Sequence, residues 1–181
     1  MEEPSQTDPP PEQAVFLEEG GAAAAAAAWA RLVLDDNNLG AAWTLMDRPL
    51  RLALVQSWLL NAYTGPLRDK DTLAGVIEEG GHPLWAKFAA WRMQRWHAET
   101  FAFLLPDWGV VSIPEAAAPD IEFVRLTSAT GGRAFEAGQP LTVQTLTMRF
   151  DGQRWLLGGI GRTLAVPGWP PSEQTLPSTN T

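Results

Sequence analysis

The chain has 181 residues, 45% of them apolar and 19% charged, with a net charge of −8 and a pI near 4.7. That length suits one domain with tails, and the apolar share is enough for a core. An acidic chain without a basic stripe argues against a nucleic-acid or anionic-membrane footprint, and the lack of cysteine excludes disulfides, thiol catalysis and Cys-based zinc sites.

Residues 1–12 are rich in Pro, Glu, Ser and Gln and predict a disordered tail. The start is acidic, unlike a secretory leader. The alanine run Ala22–Ala28 is too short to span a bilayer, so the expected location is cytoplasmic. Alanine is the best helix former, and a first helix is expected over about 21–34, with Trp29, Leu32 and Val33 as its apolar edge. The polar run Asp35-Asp36-Asn37-Asn38 stops it. Asn38 then caps a short helix over 39–46.

Asp47 before Arg48-Pro49 reads as an N-cap, with a helix running to about Tyr63 and ending at Gly65-Pro66. A further helix capped by Asp69 or Asp71 points Leu73, Val76 and Ile77 inward and ends at Gly80-Gly81. The next covers about 84–101 and carries Leu84, Trp85, Phe88, Trp91 and Trp96. After Pro106 the character changes to β. Strands are expected at 108–113, 121–127, 141–150 and 153–160, with a loop at 114–119 and a turn at Gly131-Gly132. The domain is expected to occupy 13–164, and the Pro/Ser/Thr-rich stretch 165–181 reads as a second tail.

Asp151-Gly152 is a two-residue hairpin signal. That loop would pair Phe150 with Gln153, Met148 with Trp155 and Leu146 with Leu157 on a helix-facing side. Arg149 would face Arg154, and Thr147 would face Leu156. Helices followed by an antiparallel sheet predict an α+β fold. The outer face, with Thr145, Thr147, Leu156 and Ile160, is half apolar and is the expected homodimer surface.

The stretch from Trp29 to Met46, followed by strands at Trp108–Ser112, Ile121–Thr127 and Leu141–Gly161, resembles nuclear transport factor 2-like domains. More narrowly, Trp108-Gly-Val110 and Ala118-Pro-Asp120 before a closing hairpin resemble a group of actinobacterial proteins. The resemblance implies helices wrapped by a curved, cone-shaped sheet around a pocket. The superfamily holds ketosteroid isomerase-like and cyclase-like enzymes beside non-catalytic modules, so it implies no single reaction.

Pocket candidates are Trp43, Trp58, Tyr63, Trp96, His97 and Arg125. His97 is a natural base, but Glu99 two residues on points elsewhere around the helix. His82 reads as a loop residue, Asp35 and Asp36 as a helix stop, and Asp47 as a cap. Arg125 sits in an apolar strand beside Ile121 and Phe123. It is either solvated on the outer face or, on the concave face, needs a carboxylate or an anionic ligand. Gly158-Gly159-Ile160-Gly161 lacks the helix that a phosphate loop requires, and reads as strand bending or close approach of a neighbour. Two distant histidines and no paired carboxylates give no metal site. The expected function is a non-catalytic module that binds a small apolar ligand or a protein, without a cofactor. The alternative is an isomerase, cyclase or dehydratase acting on an apolar substrate.

Overall fold

The structure, a computed structural model, describes residues 19–111, 114–128 and 142–177. The expected tail at 1–12, the Gly131-Gly132 turn and the end of the C-terminal stretch lie outside the described residues. Among the described residues five α-helices precede an antiparallel sheet of five strands, so the fold is α+β.

Helix α1, Ala22–Ala30, runs on through Arg31–Asp35 as a π turn, with the Asp36 N–H donating to the Arg31 carbonyl at 3.0 Å. Ala22, Ala26 and Ala30 recur every four residues on its buried side. Their small side chains let the helix lie close on the sheet. Helix α2, Leu39–Trp43, is capped as expected, the Ala41 N–H donating to Asn38 Oδ1 at 3.0 Å. Helix α3, Arg48–Asn61, starts at the Asp47 cap, which takes the Leu50 N–H at 2.9 Å. In helix α4, Lys70–Glu78, the buried stripe is Ala74, Ile77 and Glu78. Val76, expected inward, is exposed. Helix α5, Trp85–Arg95, continues as a second π turn, Trp96–Thr100.

Strands β1 (Trp108–Val110) and β2 (Glu115–Ala118) lie one after the other along the same edge of β3 (Ile121–Ser128). The loop expected at 114–119 is thus largely strand. A register shift between Ala116 and Ala118 accommodates it. The other edge of β3 pairs with β4 (Val143–Phe150), and β4 pairs with β5 (Trp155–Ile160).

The hairpin register differs from the expected one. Asp151 Oδ1 accepts the N–H groups of both Gln153 and Arg154, each at 2.9 Å. The ladder therefore closes at Asp151 and Arg154, with the Asp151 N–H donating to the Arg154 carbonyl at 3.1 Å. Gly152 and Gln153 form the loop, and only Gly152 has positive φ. Phe150 now faces Trp155, Arg149 faces Leu156 and Met148 faces Leu157. Each partner moves by two residues, so side-chain parity is kept. Leu146, Met148, Trp155 and Leu157 still meet the helices. A bulge at Gly158 then sets Leu146 opposite Ile160, which moves Ile160 to the helix side and corrects its outer-face placement.

The C-terminal stretch expected as a tail forms a hairpin, β6 (Thr163–Val166) with β7 (Ser172–Thr175). Its turn is anchored on the helices. The Gly168 N–H donates to Gln56 Oε1 at 2.9 Å, and Trp169 Nε1 donates to Asp71 Oδ1 at 2.6 Å. Lys70 Nζ sits 4.7 Å from the Trp169 ring centroid. The outer edge of β5 is covered too. The Leu157 N–H donates to the Leu45 carbonyl at 2.8 Å, and the Asp47 N–H to the Leu157 carbonyl at 2.9 Å.

Candidate functional site

The residues grouped as one pocket fall into separate places. Trp43, Trp58 and Tyr63 belong to a cluster with Trp85 and Phe88. Trp43 meets Trp85 edge-on at 4.8 Å, and Trp58 lies 5.5 Å from Tyr63. Trp96 packs instead with Trp29 at 5.4 Å and Phe101 at 6.0 Å. Trp29, Trp96 and Phe101 are fully buried, in one core with Val124, Leu126, Leu146 and Met148 of the sheet. Each such ring removes on the order of 200 Å² from water, worth on the order of 5 kcal/mol. The space between helices and sheet, expected as a pocket, holds these aromatic side chains.

His97 closes a backbone gap. The π turn of Arg31–Asp35 leaves the Val33 carbonyl outside the helical ladder, and His97 Nε2 lies 2.7 Å from it. A carbonyl only accepts, so Nε2 carries the proton in this contact. Glu99 pairs with Arg95 at 2.6 Å rather than with His97. Asp35 accepts from Trp108 Nε1 at 3.0 Å, and His82 Nδ1 accepts the Leu84 N–H at 3.1 Å.

Arg125 lies on the sheet face away from the helices and pairs with Glu115. Arg162 reaches the same carboxylate at 2.8 Å and covers the Phe123 ring at 4.0 Å. The hydrogen bond from Arg162 holds the Glu115 carboxyl below its ordinary range, against a smaller desolvation effect. The outer face is thus partly closed by the chain itself. Thr147, whose hydroxyl donates to the Gly161 carbonyl at 2.7 Å, and Leu156 are both buried, whereas Thr145 is half-buried.

Asp47 is buried. Desolvation raises its pKa above the ordinary 3.8, opposed by the Leu50 N–H and by Arg149 and Arg51. It borders a cleft of about 340 Å³ with Asp120, Arg149 and Leu164. A second cleft, about 690 Å³, runs from Asn38 and Leu39 to Met93 and His97. A third, about 590 Å³, opens between α2, α3, α4 and the start of α5. Trp43 and Trp85 form its aromatic wall, and Thr44, Arg48, Arg51, Glu78 and Glu79 its polar one.

Sequence reasoning missed this last set. Arg51 Nε lies 2.8 Å and Arg48 Nε 3.5 Å from the buried Glu78 carboxylate, and Trp43 Nε1 donates to the Glu78 carbonyl at 2.8 Å. A signal was present. Arg48 and Arg51 are three apart on α3, and Glu78 falls four after Ala74 on the buried stripe of α4.

Among the described residues no group of His, Cys, Asp and Glu is placed to hold a metal ion, and no helix is long and apolar enough to cross a membrane. Comparisons with protein-family models, with curated proteins and with solved structures gave no match. Fold and site together define an α+β domain with an aromatic interior and polar clefts between its helices.

Proposed function

We propose that this chain is a non-catalytic, cytoplasmic binding module of nuclear transport factor 2-like architecture that takes up a small molecule. One observation carries the reading: the five buried polar residues of the described chain, Asp47, Gln56, Glu78, Thr127 and Thr147, are each engaged in holding the fold. Asp47 caps α3, Glu78 balances two arginines, Gln56 anchors the C-terminal turn, and Thr127 and Thr147 satisfy carbonyls. An acid–base enzyme instead needs a titratable group free to meet its substrate. The open clefts are of a size that suits small ligands.

Homodimer formation through the outer face has weaker support, because Thr147 and Leu156 are already covered and Ile160 faces the helices. The small-molecule enzyme reading would need His97 or Asp47 released from its backbone contact. Native mass spectrometry of the protein purified from expressing cells tests the proposal. A small molecule should be carried through and recovered chemically unchanged after overnight incubation with fresh protein. An empty chain, or conversion that H97A or D47N abolishes, would overturn it.

A further inference from the structure

Arg48 and Arg51 both approach Glu78 through Nε, the near end of the guanidinium. Among the described residues no hydrogen bond engages their Nη groups. The Arg51 Nε–H is buried and close to Glu78 Oε1, yet is not aligned on it as a hydrogen bond, so the contact is one of charge. The Glu78 carboxylate is only 3% exposed and holds Arg51 at 2.8 Å, while the more exposed Arg48 lies 3.5 Å from it. Two guanidinium forks on one helix face, with their outer N–H groups unspent, match the planar geometry of a carboxylate. Holding Arg51 in place also reduces the side-chain freedom lost on binding.

The other wall is aromatic. Trp43 is held by its indole bond to the Glu78 carbonyl, so the same residue that steadies the arginines steadies the ring. Trp85 stands edge-on to Trp43 at 4.8 Å and is only half-buried, leaving ring surface toward the cleft. Cation and flat apolar wall therefore adjoin in a space of about 590 Å³. Building on the binding-module reading above, we infer that this cleft binds a planar aromatic carboxylate, the acid on Arg48 and Arg51 and the ring against Trp85.

The test is a titration with 1-naphthoate, followed by the Trp indole resonances in two-dimensional NMR. Neutral 1-naphthylmethanol is the control. Naphthoate should shift the Trp85 and Trp43 indole signals saturably, and naphthylmethanol should bind about tenfold more weakly or less. Arg48→Gln should weaken naphthoate about tenfold without changing the fold, since its side chain is 68% exposed. Arg51→Gln alone strands Glu78, so Arg51→Gln is made together with Glu78→Gln, and the pair should lose naphthoate binding too. No saturable shift, equal binding of the alcohol, or undiminished affinity in both variants would each overturn the assignment. If the native spectra still show a carried ligand, only the cleft assignment falls. If they do not, the binding-module reading falls as well.

Discussion

Asp47 shows how one residue can serve the fold at a cost. Its carboxylate caps α3 and lies 3.7 Å from Arg149, yet burial raises its pKa above 3.8. Well below about pH 3.8 the group is protonated in both the folded and unfolded chain. As pH rises from there toward the raised value, the unfolded chain loses the proton first. Stability contributed by Asp47 therefore falls as pH rises through that window. Asparagine caps as well as aspartate but carries no charge. Asp47→Asn should match or exceed the wild type in thermal stability at pH 7, with its relative advantage growing from pH 3 to pH 7. Asp47→Ala removes the cap and should cost about 1–2 kcal/mol. Equal loss in both variants at pH 7 would show that the charge itself is needed.

Elements were legible where local chemistry decides them. The Asn38 and Asp47 caps and the presence of a hairpin at Asp151-Gly152 are short-range features, and they stand where the sequence places them. The register did not follow, because a side-chain acceptor on Asp151 displaced the loop by one position. The β6–β7 hairpin was hidden for a related reason. Its Pro/Ser/Thr composition reads as a tail, while its order rests on distant partners, Gln56 and Asp71. Gly159, in contrast, was readable as a close approach. A Cβ there would come within 1.9 Å of the Thr163 carbonyl oxygen. Backbone cannot yield as a flexible side chain does, so Gly159→Ala should destabilise by about 3 kcal/mol in urea unfolding, with β5 and β6 forced apart. A loss below about 0.5 kcal/mol would contradict the packing of β5 against the start of β6.

Across the whole molecule, the aromatic residues decide what kind of protein this is. Sequence alone names Trp43, Trp58 and Trp96 as pocket candidates, yet the same side chains can line a cavity or fill it. Tertiary packing separates them: Trp29, Trp96 and Phe101 fill the interior, while Trp85 stands half-buried at a cleft between the helices. Among the described residues these side chains fill the space between helices and sheet, which puts ligand recognition in the clefts, whereas a hollow interior would revive pocket chemistry. Benzene binding followed by backbone NMR tests this most directly, because apolar cavities above the size of a benzene ring take it up. The wild type should show no saturable shifts at Leu126, Leu146 or Met148, whereas Trp29→Ala, destabilised by about 3–5 kcal/mol, should show them if still folded. Saturable shifts at those three residues in the wild type would contradict the account.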